Sequence, residues 1–159
     1  MERDNLMRMR IPLIAFALLF AAAAWPASSH AQDASKGIKV EVTGFRNDKG
    51  QLRCSLWHGP DGFPRDESHV MKNVAAPIQN ASGQCVFSGP LPAGEYAVTL
   101  YHDENNNGKF DTNIVGYPLE GYGFSNNFVP QFKAPVFDQC KFTYDGNGWK
   151  QLSVKMIYR

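Results

Sequence analysis

Short segments in which apolar and polar residues alternate recur along this chain of 159 residues. A period of two places the apolar side chains on one face of a β-strand, whereas a helix needs a period of about 3.6 residues. The clearest run is 95–102, in which Tyr96, Val98, Leu100 and His102 share one face. Comparable segments lie at 38–42, 52–57, 85–88, 137–144 and 152–158, with a short strand or helical turn near Val70–Val74. About seven short strands separated by turns predict an all-β fold, an immunoglobulin-like or prealbumin-like β-sandwich.

Two of the turns have sequences that are typical of β-hairpins. Asn47-Asp48-Lys49-Gly50 separates the first two alternating segments, and Asp145-Gly146-Asn147-Gly148 separates the last two. Asn and Gly tolerate the positive φ angles that tight hairpin turns require. The sequence therefore predicts that each of these two pairs of segments forms an antiparallel hairpin.

The N-terminal segment has the order of a secretory signal. Arg3, Arg8 and Arg10 precede an uncharged run from Ile11 to Trp25, and Ser29-His30-Ala31 offers small residues to a signal peptidase. A membrane anchor would need about 20 apolar residues, which is longer than this run. We therefore expect a signal peptide at 1–31, a single mature domain at 32–159 without a membrane span, and a periplasmic or secreted location.

The charge of the chain argues against a nucleic-acid partner, and its cysteines predict a disulfide rather than a zinc site. The net charge is +1 at pH 7 and no basic stripe is present, so a nucleic acid is not an expected partner. Export would place Cys54, Cys85 and Cys140 in an oxidising compartment, where disulfides persist. Cys54 and Cys85 each lie within a predicted strand and are the favoured pair, although three buried thiols are the alternative. The spacing of the cysteines does not fit a zinc site.

The sharpest chemical signal is the segment 103–111, which matches D-x-N-x-N-G-x-x-D. Ca²⁺ takes 6–8 oxygen ligands, and side chains at alternate positions converge when the backbone curls, as Gly108 permits. The candidate ligands are the side chains of Asp103, Asn105, Asn107 and Asp111 and the carbonyl of Lys109. The sequence thus predicts a calcium site as the one cofactor-binding feature of this chain.

The loop departs from an EF-hand in two respects. The position that needs a bidentate Glu is Ile114, and no helices flank the loop. Glu120 or Asn113 would have to complete the ligand shell, and two carboxylates in the motif predict modest affinity. The alternative is a turn whose Asn and Asp side chains only cap their own backbone.

Two further groups of residues are candidates for function. His102, supported by Asp103 or Glu120, would act as the general base of an envelope hydrolase, although a structural histidine is favoured. Five aromatic residues lie in the long segment after the loop, Tyr117, Tyr122, Phe124, Phe128 and Phe132. Exposed, they would form a surface for a sugar, a peptide or an envelope protein, and buried, they would form a small satellite core. The predicted binding residues are Tyr117, Glu120, Tyr122, Phe124 and Asn126.

Several of these motifs together resemble a known family. The run Leu91-Pro92-Ala93-Gly94-Glu95-Tyr96-Ala97-Val98, the segment 102–111 and the run Glu120-Gly121-Tyr122-Gly123-Phe124-Ser125-Asn126-Asn127 resemble the bacterial exported family called domain of unknown function 2141. The resemblance covers nearly all of residues 36–158. It implies an exported β-sandwich and carries over no activity, substrate or catalytic residue. A non-enzymatic binding or structural module is therefore the favoured function.

Overall fold

The computed structural model describes residues 36–159, so the signal peptide predicted at 1–31 lies outside the described residues. The described part of the chain contains nine strands, one short α-helix and two single-turn 3-10 helices, Glu67–His69 and Ser125–Asn127. The strands are β1 (Gly37–Thr43), β2 (Gln51–His58), β3 (Val70–Ala76), β4 (Ile78–Gln79), β5 (Ser82–Ser88), β6 (Gly94–Asp103), β7 (Tyr122–Phe124), β8 (Phe142–Tyr144) and β9 (Trp149–Lys155), and the helix is α1 (Phe137–Cys140). None of the described helices is long and apolar enough to cross a membrane.

The strands form two sheets, which confirms the prediction of an all-β sandwich. One sheet has the order β4-β5-β1-β9, and the other has the order β3-β2-β6-β7, with β8 also paired to β6. All pairs are antiparallel except β1 with β9. Nine strands are present rather than about seven, because β4, β7 and β8 have only two or three residues and are too short to show a period.

The core lies between the facing sides of the two sheets, as the alternation predicted. Leu56 on β2 and Val98 on β6 are directly paired and are fully buried, and Val40 on β1 is buried from the other sheet. A disulfide joins Cys54 on β2 to Cys85 on β5, which confirms the favoured cysteine pairing and links the two sheets covalently. The third cysteine, Cys140, is a buried free thiol, and burial raises its pKa to about 12.

The two hairpin predictions are wrong. The turn after β1 carries the chain to β2 in the opposite sheet, and the turn after β8 does the same for β9. In each pair, both strands bury their apolar faces in the same core. Strands in two facing sheets do this as well as the two strands of a hairpin, so alternation does not distinguish the two arrangements. The first turn is instead held to the turn between β4 and β5 by Asp48, whose carboxylate accepts the backbone N–H groups of Asn80 and Ala81 at 2.9 and 2.8 Å.

Two predicted segments have different limits in the structure. The predicted strand 137–144 begins with the helical turn α1, in which Phe137 and Cys140 are three residues apart and are both buried, so that only its last three residues form β8. The last strand runs from Trp149 to Lys155, earlier than the predicted segment 152–158. The segment near Val70–Val74, left open as strand or helical turn, is part of β3.

The outer face of the five-stranded sheet carries a second apolar cluster. Trp57 and Ala97 point away from the main core and pack against Phe137 and Cys140 of α1. The indole N–H of Trp57 donates to the Thr99 hydroxyl at 3.0 Å, which satisfies its polar group on this face. The helix therefore covers one end of the outer face, and the rest of that face is left to the long segment between β6 and β8.

Candidate functional site

The uncovered part of this outer face forms the floor of a groove, which we call the aromatic groove. Its volume is about 720 Å³, within the usual range of small-molecule sites. Three segments form its walls, at residues 64–67, 110–118 and 130–134, together with Arg159. The long segment after β6 thus contributes two of the walls, and the sheet supplies a rigid base for them.

The floor of the aromatic groove consists mainly of aromatic side chains. The alternation along β2 and β6 turns Trp57, Thr99 and Tyr101 outward, and β7 adds Tyr122 and Phe124 beside them. The ring of Phe110 bridges floor and wall, since its centroid lies 5.7 Å from that of Tyr101 and 5.9 Å from that of Tyr122. Burial raises the pKa of Tyr101 to about 12, so its hydroxyl stays protonated at neutral pH.

The acidic segment 103–111, which we call the Asp103 loop, connects β6 to the wall 110–118. Its last two residues, Phe110 and Asp111, are also the first two residues of that wall. Asp103 ends β6 and is fully buried. Its Oδ1 accepts the backbone N–H of Asn107 at 3.0 Å, and its Oδ2 accepts that of Gly108 at 3.0 Å and the Nε–H of Arg53 at 3.1 Å. Gly108 has a φ of +76°, the sharp turn that the motif predicted.

The other polar side chains of the Asp103 loop converge on one carboxylate. The side-chain amides of Asn105 and Asn107 both donate to Oδ2 of Asp111, at 2.8 and 2.9 Å. Their amide oxygens accept backbone N–H groups further along the loop, from Asn107 and Lys109 respectively. Asn105 and Asn107 therefore meet at the carboxylate of Asp111, whereas the carboxylate of Asp103 is bonded to the loop backbone and to Arg53.

Glu120 completes this arrangement from the far end of the long segment. One carboxylate oxygen accepts the backbone N–H of Glu104 at 3.0 Å and the other accepts that of Asp111 at 3.1 Å. Glu120 is 6% exposed, and this burial raises its pKa above the ordinary value, with the negative charges of Asp111 and Asp103 adding to the rise. The residue therefore ties the two ends of the Asp103 loop together.

The neighbouring Glu104 belongs to a separate ion pair. Its Oε1 lies 2.5 Å from Nη2 of Arg46, and its Oε2 accepts the side-chain amide of Asn47 at 3.2 Å. Burial raises the pKa of Glu104, but the hydrogen bonds from Arg46 and Asn47 outweigh it, so the pKa lies below its ordinary value. Glu104 thus stays ionised and fastens the start of the loop to the turn between β1 and β2.

No three His, Cys, Asp or Glu side chains among residues 36–159 are grouped so that they could hold a metal ion. Any cation at the Asp103 loop would need amide and backbone oxygens as ligands, which suits Ca²⁺ better than zinc or another transition metal. Asp103 Oδ2 already has two donors, whereas Oδ1 of Asp103, Asn105 and Asn107 each keep a second lone pair.

His102 has no ring nitrogen available to a substrate. It is fully buried, with Nε2 2.7 Å from the Lys49 carbonyl and Nδ1 2.8 Å from the Tyr158 hydroxyl. The carbonyl can only accept, so Nε2 carries a proton, and Nδ1 is occupied by its hydrogen bond with the Tyr158 hydroxyl. The aromatic groove is not lined by His102. This geometry argues for a structural histidine and against a general base.

The predicted binding residues fall into two groups. Tyr117, Tyr122 and Phe124 line the aromatic groove. Glu120 instead faces the Asp103 loop, and the Asn126 amide donates to the Lys141 carbonyl at 2.9 Å beside α1. Of the five aromatic residues in the long segment, Phe132 is fully exposed at the rim, while Phe128 packs against the outer apolar cluster.

Sequence reasoning missed several residues of the groove. The alternation along 52–57 and 95–102 puts Trp57 opposite Leu56 and Tyr101 opposite Val98. Nothing in this local pattern places the two strands side by side beneath the long segment. Phe110 sits inside the metal motif and was not considered as a groove residue. Arg65, Lys133 and Arg159 come from three distant parts of the chain, and only the folded structure brings them to one rim.

A smaller groove of about 400 Å³ lies at the α1 end of the same sheet, where His58, Glu95 and Asp138 line it. The ammonium group of Lys141 lies 3.0 Å from a carboxylate oxygen of both Glu95 and Asp138. One lysine therefore bridges two carboxylates and balances only one of their two negative charges. This groove also offers less apolar surface than the aromatic groove.

The comparisons with known proteins agree with the sequence motifs. A family model described as an uncharacterized protein conserved in bacteria (DUF2141) matches residues 40–151, which include the Asp103 loop and most of the groove. Neither the curated proteins nor the solved structures gave a match to this sequence. The match spans well over half of the chain, and the chain therefore belongs to the DUF2141 family.

Proposed function

We propose that this chain is an exported, non-enzymatic binding module whose aromatic groove receives a small ligand or a short segment of a partner. The observation that supports this most is the groove itself, about 720 Å³ in volume and floored by Trp57, Tyr101, Tyr122 and Phe124 on a rigid sheet. Concave apolar sites with a few polar groups are the usual form of ligand sites. The signal-like N-terminus supports export to the periplasm or beyond.

In this proposal the Asp103 loop has a supporting role. Its last residue, Asp111, is fixed by Glu120, and its backbone carbonyl accepts the N–H of Leu119 at 3.0 Å. Thr112 also pairs with Pro118 as an isolated bridge. These contacts hold the wall 110–118 in place, so that Phe110 can rest on Tyr101 and Tyr122. The loop therefore serves binding by ordering the groove.

We expect the mature domain to bind N-phenylnaphthylamine, an uncharged aromatic dye, with an increase in dye fluorescence and energy transfer from Trp57. Replacing the half-exposed Tyr117 by Ala removes a ring from the wall and should weaken binding several-fold, because aromatic contacts contribute about 0.5–1.5 kcal/mol each. A fluorescence titration of both proteins measures this change.

The matched control is Ile114→Ala. Ile114 is fully exposed on the same wall but does not line the groove, so its loss should leave dye binding unchanged. Absence of dye binding by the wild-type domain, or equal weakening by Tyr117→Ala and Ile114→Ala, would contradict the proposed function.

We further propose that Ca²⁺ binds the Asp103 loop and strengthens it. The supporting observation is the curled loop in which Asn105 and Asn107 meet Asp111 and the backbone of Asn107 bonds to Asp103; the Lys109 carbonyl would be a further ligand. The amide oxygens of Asn105 and Asn107 accept backbone N–H groups, so a cation would be held by the second lone pair of each oxygen. The ion pair between Arg53 and Asp103 opposes a cation here, which predicts weak binding.

We expect calcium to raise the melting temperature of the mature domain relative to a chelator. Extracellular calcium modules have dissociation constants of about 10⁻⁴–10⁻³ M, and a tenfold excess over that value stabilises the folded state by about 1.4 kcal/mol. The increase should disappear when Asp103→Ala and Asp111→Ala are combined, and Mg²⁺ should not reproduce it. Equal melting temperatures in chelator and in calcium would contradict the proposed calcium site.

A further inference from the structure

The rim of the aromatic groove has an uneven charge. Arg65, Lys133 and Arg159 line it, whereas Glu67 is the one carboxylate among its lining residues. Arg159 donates its guanidinium hydrogens to the carbonyls of Pro130 and Gln131, and within residues 36–159 none of the three cations forms an ion pair. The side chains that line the groove therefore carry three positive charges against one negative charge.

Three other basic residues in the described part of the chain are paired with acids, whereas several lysines elsewhere, such as Lys72 and Lys150, form no ion pair. Arg46 contacts Glu104, Arg53 contacts Asp103, and Lys141 contacts Glu95 and Asp138. The net charge of the whole chain is only +1, so the excess at the groove is local rather than a general property of the surface. Local charge of one sign beside a concave site raises the concentration of ligands of the opposite sign.

The polar groups of the floor and wall suit the same kind of ligand. Across the part of the chain described, the hydroxyls of Tyr101, Tyr117 and Tyr122 make no hydrogen bond with protein groups. A phenol donates readily to a carboxylate oxygen. The aromatic floor and the tyrosine hydroxyls therefore match a flat aromatic ligand that carries a carboxylate.

Resting on the proposed function of the groove, we propose that its ligand is a small aromatic acid. The aromatic body packs against Tyr101, Tyr122 and Phe124, the last two of which have rings at a steep angle to each other, and its carboxylate lies toward Arg65 and Lys133. Binding of the ligand's aromatic part depends on the aromatic side chains of the floor, whereas the preference for a carboxylate depends on the unpaired cations. The two parts can therefore be tested separately.

The test measures displacement of bound N-phenylnaphthylamine by two matched compounds, naphthoate and naphthylmethanol, which share a ring system but differ in charge. We expect naphthoate to displace the dye at a concentration roughly five to ten times lower, as expected for exposed charge pairs of up to about 1 kcal/mol each. The difference should shrink at high salt, because the cations are exposed. Laurate, an acyl acid, should displace the dye less well than naphthoate.

Charge variants identify the source of the preference. In Arg65→Gln with Lys133→Gln, the two compounds should become nearly equivalent while dye binding itself persists, and Lys150→Gln on β9 should keep the wild-type preference. If naphthoate is no better than naphthylmethanol while the dye still binds, the acid inference is overturned and the groove function stands. If laurate is the better competitor, the aromatic part is overturned. If the dye does not bind at all, the proposed function itself fails.

Discussion

Reduction of the Cys54–Cys85 disulfide should lower the free energy of unfolding by about 3–4 kcal/mol. The two cysteines are 31 residues apart in sequence, and closing a loop of this length in the unfolded chain accounts for an entropic effect of that size. Domains of this kind are stable by only about 5–15 kcal/mol, so the loss is a large part of the total. The bridge joins β2 of one sheet to β5 of the other, and its loss frees the two halves of the sandwich.

Denaturant titrations of the oxidised and reduced wild-type domain measure this difference without changing any side chain. The double variant Cys54→Ala, Cys85→Ala should be at least as unstable as the reduced protein, because two small cavities are added in the core. Cys140→Ala provides the matched control, since it should leave the gap between oxidised and reduced protein unchanged. A gap of less than about 1 kcal/mol would show that the bridge does not hold the sheets together.

The sequence predicted the faces of the strands better than their partners. Alternation along 52–57 and 95–102 placed Leu56 and Val98 inward and Trp57 and Tyr101 outward, as the structure has them. Burial of one face fixes the orientation of a strand, but it does not say in which sheet the strand lies. The two hairpin predictions failed for this reason, because a turn of Asn, Asp and Gly can cross between sheets as well as reverse within one.

The candidate site likewise has one part that the sequence predicts, the Asp103 loop, and one part that it does not, the aromatic groove. The Asp103 loop is local, so its hydrogen bonds follow from residues that are near one another in sequence, and the turn at Gly108 was predictable. The groove depends on contacts between distant segments. Phe110, Arg65 and Lys133 share it only because Glu120, Arg159 and the outer face of the sheet hold three separate segments around one space. No local sequence pattern predicts such an arrangement.

Asp103→Ala should be among the most damaging single substitutions near the groove, lowering the free energy of unfolding by about 3 kcal/mol. The change leaves the backbone N–H groups of Asn107 and Gly108 without their acceptor, at about 1.5 kcal/mol for each bond to a charged group. It also removes the partner of Arg53, whose side chain is 34% exposed, so screening by water limits that part to a few tenths of a kcal/mol.

The effect should reach the groove through Phe110. With the loop no longer curled, the wall that carries Phe110 loses its support, and we expect N-phenylnaphthylamine to bind more weakly by several-fold in protein that is still folded. Asp111→Ala is the comparison, because its partially exposed carboxylate accepts only side-chain amides of Asn105 and Asn107 and should cost about 1 kcal/mol or less. Both variants are measured in chelator by denaturant titration and by dye titration under folding conditions. If Asp103→Ala is destabilised no more than Asp111→Ala, or binds dye like the wild type, the loop does not order the groove.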